Sequence, residues 1–191
     1  IVNAILRRVT DDETGLNAWT NTQPQRLPGW LRGRLGSAYG YARVALMEQA
    51  QEQGAPLDLS LRDPAEAQDL AEALGAEILP TGSLRLASAG QVTTMPGFGE
   101  GAWWVQDAAA ALPAQILNAQ PGEKVLDLCA APGGKTLQLA ARGADVTAVD
   151  ISGPRLERLR ENLERTELKP DVITAAALNW EPEGAFDAIL L

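Results

Sequence analysis

Histidine is absent from these 191 residues, and cysteine occurs once, at Cys129. Those two scarcities exclude a zinc site of Cys and His, a disulfide, and any Ser-His or Cys-His catalytic arrangement. No metal is therefore expected. No apolar run reaches the roughly 20 residues that cross a bilayer, and no signal-peptide pattern is present, so no membrane association is expected. A lone cysteine without a secretion signal fits a reducing cytoplasm. The net charge of −9 argues against a free-standing nucleic-acid binder, because phosphate contacts dominate such affinity.

That charge is unevenly spread. Residues 1–43 hold six arginines against three acids, whereas residues 44–191 hold ten bases against 22 acids. Arg26, Arg32, Arg34 and Arg43 stand in a stretch without acids, interleaved with Trp30, Tyr39 and Tyr41. Arginines beside stacking aromatics are what single-stranded RNA contacts use. The plainer alternative is that the arginines solvate helix faces while the aromatics pack.

Apolar positions 2, 5, 6 and 9 predict a short amphipathic helix over residues 1–9. Asp11 to Gln25 reads as a polar linker. Trp30–Leu35 and Tyr41–Glu52 read as two helices, broken near Gly36 and Gly40. Leu57–Leu61 alternates as a half-buried strand. Asp63, Pro64 and Glu66 then supply the cap, first turn and capping box of a helix that Gly75 ends. Ala76–Leu79 and Leu84–Ala87 complete a small α+β layer. From about Gly101 onward strands and helices alternate, which implies a parallel sheet with right-handed crossovers. Its helices are expected over Gln106–Asn118, divided or kinked at Pro113, over Lys135–Ala141, and from Ser152 onward with Leu156, Leu159 and Leu163 on one stripe. Its strands are expected at Val125–Leu128, Val146–Val149, Val172–Thr174 and Ala188–Leu191.

The chemistry concentrates where Val125-Leu126-Asp127-Leu128 runs into Cys129-Ala130-Ala131-Pro132-Gly133-Gly134-Lys135-Thr136. A buried strand, a glycine turn and a helix start present backbone N–H groups and a positive helix end to a ligand. Asp150 closes the next apolar strand, 23 residues beyond Asp127, close to the roughly 20 at which an acid can accept bonds from a ribose. A phosphate-cradling P-loop would need glycine where Cys129 stands, and a dinucleotide fingerprint needs a third glycine. What remains is a nucleoside-cofactor site without a pyrophosphate. The two glycines could instead merely permit a tight turn, and Asp150 could merely cap the following helix. Asp127, inside an apolar strand, is expected to bond the loop's amides or the amino-acid end of a cofactor.

The stretch Asp127–Thr136 resembles the cofactor motif of the RNA cytosine-C5 methyltransferases, more narrowly the Sun/RsmB-type enzymes of small-subunit ribosomal RNA. Met95-Pro96-Gly97-Phe98, Gly101 and Val105-Gln106-Asp107 are similar to that family's lead-in to its core, and Ile1–Arg8 to the last helix of its NusB-like domain. The resemblance implies an α/β fold: a partial Rossmann-like methyltransferase core with a mostly parallel sheet, preceded by a small α+β subdomain and the tail of a helical domain. The corresponding parts are residues 1–20, 21–100 (RNA-positioning) and 101–191. It implies S-adenosylmethionine as cofactor, held by Cys129, Ala130, Ala131, Pro132, Gly133, Gly134, Lys135, Asp150 and Arg155. It implies RNA as partner, and the arginine and aromatic pattern offers Arg26, Trp30, Arg32, Arg34 and Arg43 as the contacts. In the family a cysteine thiolate adds to C6 of cytosine so that C5 can take the methyl. Two departures are visible: Ala176 stands where an acid is expected at the tip of the third strand, and the family's Asp-Ala-Pro-Cys loop, expected directly after Leu191, is not in the sequence. No catalytic residue is therefore expected within the chain, and Cys129 reads as structural. A non-catalytic RNA- or partner-binding module, and a small-molecule methyltransferase sharing only the fold, are the alternatives.

Overall fold

A computed structural model describes residues 2–12, 14–15, 26–88 and 90–191. The chain divides into two compact units, residues 1–55 and 56–191. Most of the linker expected over Asp11–Gln25 lies outside the described residues.

The first unit contains α1 (Val2–Asp11), α2 (Gly29–Tyr39) and α3 (Tyr41–Glu52). The break expected near Gly36 does not occur; α2 runs through it and only Gly40 separates the two helices. Gly36 serves packing instead, since a Cβ there would lie 2.4 Å from the Tyr41 ring. Glu48 of α3 is buried and accepts from Arg32 Nε (2.9 Å) and from the Leu27 backbone N–H (3.0 Å). Those two bonds tie the start of α2 to α3.

The second unit opens with an antiparallel sheet of order β2-β3-β1-β4, formed by β1 (Leu57–Leu61), β2 (Glu77–Ile78), β3 (Leu84–Leu86) and β4 (Trp103–Val105). Asp63 accepts from the Ala65 N–H as a cap, but the first turn, Pro64–Glu66, is a 3-10 turn, and α4 (Ala67–Leu74) follows it. Gly75 ends α4 in the left-handed conformation, as its sequence predicts. Leu59, Leu84 and Trp103 form the core beneath α4. The sheet differs from expectation in two respects. The polar positions of β1 do not face solvent: Asp58 and Ser60 are buried as well. Strand β4 was not anticipated, because its consecutive tryptophans show no alternation. Trp103 and Trp104 are both buried, each in a different core cluster, so this short strand bolts the antiparallel sheet to the domain behind it.

That domain has a fully parallel sheet of order β7-β6-β5-β8, formed by β5 (Lys124–Leu128), β6 (Asp145–Asp150), β7 (Asp171–Thr174) and β8 (Ala188–Leu190). Helices α5 (Ala108–Leu117), α6 (Gly134–Ala141) and α7 (Gly153–Thr166) accompany it. The α/β class and the parallel sheet are as the sequence predicts. Pro113 does not divide α5: it and Ala109, whose carbonyl it cannot reach as a donor, both face solvent, so water can take that carbonyl. Leu156, Leu159 and Leu163 of α7 are buried on one stripe, each contributing about 1.5–3 kcal/mol by leaving water.

The C-terminal end of α7 docks on the loop before β4. Gly101 (φ +66°) passes so close that a Cβ would lie 2.0 Å from the Arg165 carbonyl oxygen. The Arg165 guanidinium donates to the carbonyls of Phe98 (2.8 Å) and Trp103 (2.9 Å) and stacks 4.2 Å from the Phe98 ring centroid. Burial pulls the Arg165 pKa down from its ordinary value. No described helix is long and apolar enough to cross a membrane.

Candidate cofactor site

The site is built where β5 ends. Cys129 (φ +58°) turns the chain, and Gly133 (φ +105°) turns it again before α6 begins. Only glycine fits the second turn: a Cβ there would sit 2.2 Å from Leu159 Cδ1, in a backbone region side chains rarely adopt. Beneath the turn, Asp127 is buried and accepts from the Thr136 hydroxyl at 2.6 Å, pinning the first turn of α6 to β5. Burial raises the Asp127 pKa, against the lowering effects of Thr136 and Lys135.

Asp150, at the end of β6, is buried and grips the loop from below. Its carboxylate accepts from the Ala131 N–H (3.0 Å) and the Ser152 N–H (2.8 Å), and lies 3.8 Å from the Arg155 guanidinium. Arg155 also donates to the Ala131 carbonyl.

A cavity of about 260 Å³ opens above the turn. Of the residues singled out by sequence, Cys129, Ala130, Ala131, Pro132, Gly134 and Lys135 line it. Gly133, Asp150 and Arg155 do not; they shape the loop from behind. Asp127 lines the cavity too, together with Gln106 and Asp107, neither of which was singled out as a site residue. Asp107 caps α5 through Ala109 N–H (2.7 Å) and Ala110 N–H (3.3 Å). Buried Gln106 accepts from Trp104 Nε1 (2.9 Å) and donates to Gln138 Oε1 (2.7 Å), a chain linking β4 to α6. An acid directly before an alanine run was the available signal for Asp107; Gln106 had none, because its partners are distant in sequence.

In the first unit, Arg26, Trp30, Arg34 and Arg43 are exposed. Arg32 is committed to Glu48 and lies 5.3 Å from the Tyr41 ring centroid. Among the described residues, no group of three His, Cys, Asp or Glu gathers as metal ligands.

Residues 114–191 match the family model described as 16S rRNA methyltransferase RsmB/F. Over its whole length the chain is 36% identical to ribosomal RNA small subunit methyltransferase B of Shewanella oneidensis and 38% identical to that of Vibrio cholerae. The chain belongs to the RsmB/F methyltransferase family. It spans about half the length of these curated relatives, 47% and 48%. A crystal structure of a methyltransferase homolog from Pyrococcus horikoshii, 29% identical, superposes on 80% of this chain and 54% of its own with a TM-score of 0.66. The stretch matched by the RsmB/F model runs from the second half of α5 through the glycine turn to β8, and so contains most of the cavity lining.

Proposed function

We propose that this chain is the S-adenosylmethionine-binding part of an enzyme that methylates cytosine at C5 in 16S ribosomal RNA. The observation that carries the reading is the glycine turn at the carboxyl ends of β5 and β6, with a cavity above it and a buried acid on either strand. The lining suits a ligand with ammonium, carboxylate and sulfonium groups: Asp107 and Asp127 face its positive charge, and Lys135 its carboxylate. Asp150 would act from behind the loop, by fixing the Ala131 and Ser152 amides at the edge of the site. Gly133, with the Asp150–Arg155 grip on Ala131, holds the loop in its turned shape beneath the cavity. When bound, S-adenosylmethionine supplies the electrophilic methyl group.

Arg26, Trp30, Arg34 and Arg43 are proposed to contact RNA, within residues 21–100 as an RNA-positioning region. Arg32 would act indirectly, by holding α2 on α3 through Glu48. Cys129 is the only cysteine and lies in the cofactor loop, so it is not the nucleophile in this reading. These 191 residues alone are therefore expected to bind the cofactor and transfer no methyl group.

A calorimetric titration with S-adenosylmethionine tests the reading, with Asp150→Ala and Cys129→Ser as variants. Binding lost in Asp150→Ala and nearly intact in Cys129→Ser is the expected outcome. No binding by a folded wild-type chain would refute the cofactor assignment, and methylation of RNA by the chain alone would refute the assignment of Cys129.

A further inference from the structure

A second polar cleft, of about 150 Å³, lies between the antiparallel sheet and helices α5 and α6, toward the end of α6 remote from the glycine turn. From Gly134 to Arg142 the helix rises about 12 Å, so the cleft is separate from the cofactor cavity. We propose that it binds an oxyanion, a phosphate group, through Ser60, Arg62 and Arg142.

Asp58 and Ser60 share one face of β1, opposite the leucines, and α5 covers that face. Asp58 is fully committed there: Arg85 donates to both its oxygens at 2.7 Å, and the Ala108 N–H donates to Oδ2 at 3.0 Å. Ser60, two residues on, is 5% exposed, and its hydroxyl has no hydrogen-bond partner among the described residues. Buried hydroxyls are nearly always bonded, and leaving one unbonded costs about 1–3 kcal/mol. Ser60 is one of the residues lining the cleft, with its hydroxyl just beneath the surface.

Charge identifies the ligand class. Residues 56–191 carry ten bases against twenty acids, yet two of those ten bases line this cleft and, among its described lining residues, there is no carboxylate. Thr81 Oγ1 donates to Ser83 Oγ (3.3 Å) and Gln115 Nε2 to the Thr81 carbonyl (2.8 Å). Among the described residues only Nη1 of each arginine is engaged, Arg62 with the Glu100 and Thr166 carbonyls (3.4 Å each) and Arg142 with that of Ala114 (3.5 Å), so their other N–H groups remain for a ligand. Guanidinium groups with hydroxyl donors are the set that recognises phosphate oxygens. Size narrows the choice. The volume equals about five waters at ~30 Å³ each, enough for a tetrahedral oxyanion, and falls short of the ~300 Å³ at which small-molecule sites begin. A single phosphate group fits, whether free or one phosphodiester of an RNA backbone.

The test is a phosphorus NMR titration of the whole chain with inorganic phosphate in chloride buffer, beside melting curves. Phosphate resonance broadening is expected in the wild type. It should be abolished in Arg142→Gln and weakened about 5–10-fold in affinity in Ser60→Ala, corresponding to loss of one good bond. Arg158→Gln, on the exposed side of α7, should bind as the wild type does. Without phosphate, Ser60→Ala should melt at the same temperature or higher, because no bond is lost. Absence of broadening in the wild type, equal broadening in Arg142→Gln, or a lower melting point of phosphate-free Ser60→Ala overturns the proposal. A short RNA that displaces phosphate identifies the ligand as the RNA backbone; phosphate retained beside bound RNA identifies the free ion.

Discussion

Replacing each of two adjacent glycines by alanine separates backbone strain from mere proximity in the cofactor loop. At Gly133 the new Cβ meets Leu159 Cδ1 at 2.2 Å and its Cγ at 3.1 Å, with φ at +105°. Leu159 is fully buried and cannot swing away into solvent. The left-handed backbone costs a non-glycine residue about 1–2 kcal/mol, and overpacking a filled core adds about 1–3 kcal/mol. Gly133→Ala should therefore cost about 2–5 kcal/mol, a fall in melting temperature of about 4–20 °C for a chain of this size. At Gly134 the Cβ meets only the Gln106 side chain, at 3.1 Å, and the residue is already helical. The helix gains about 0.5–1 kcal/mol from alanine, which offsets a small adjustment of Gln106. Gly134→Ala should change stability by less than about 1 kcal/mol. Urea denaturation of both variants, followed by circular dichroism, measures the contrast. Equal losses in the two variants would refute the assignment of Leu159 as the wall behind the turn.

Further outcomes follow from buried charge and close contacts. The folded pKa of Asp127 is raised by burial, so the folded state holds its proton more tightly than the unfolded chain. Its contribution to stability is present below the ordinary carboxylate pKa and is lost as pH rises through the folded value; Asp127→Asn should flatten that loss in denaturation curves taken across the window. Asp58 behaves oppositely. The Arg85 hydrogen bonds hold its pKa below the ordinary range, so stability is present above the unfolded pKa and lost as pH falls through the folded one. Arg85→Met should remove that acid-side loss of stability, read by the same curves. Arg165→Ala strips donors from the Phe98 and Trp103 carbonyls and removes the contact with the Phe98 ring, and should cost about 2–4 kcal/mol in a urea titration. A loss under about 0.5 kcal/mol would show that α7 is held by Gly101 and packing alone.

Local pattern determined much of this protein. The glycine turn, the apolar runs of β5 and β6, the leucine stripe of α7 and the left-handed Gly75 are legible because each depends on neighbours within one or two turns of chain. The residues able to line a nucleoside site could be named for the same reason. Tertiary structure decided the rest. Trp103 and Trp104 form a strand that sends one ring into each core, and Gly36 lies inside a helix with the Tyr41 ring folded against it. Asp58 and Ser60 look like the solvent side of an alternating strand until α5 covers them. Once covered, one finds an arginine 27 residues away and the other finds no partner among the described residues. Periodicity reports which face of an element is apolar, whereas burial of a polar face depends on what distant chain lies across it. That long-range information decides the division of the cofactor loop into residues that touch the cavity and residues that hold its shape.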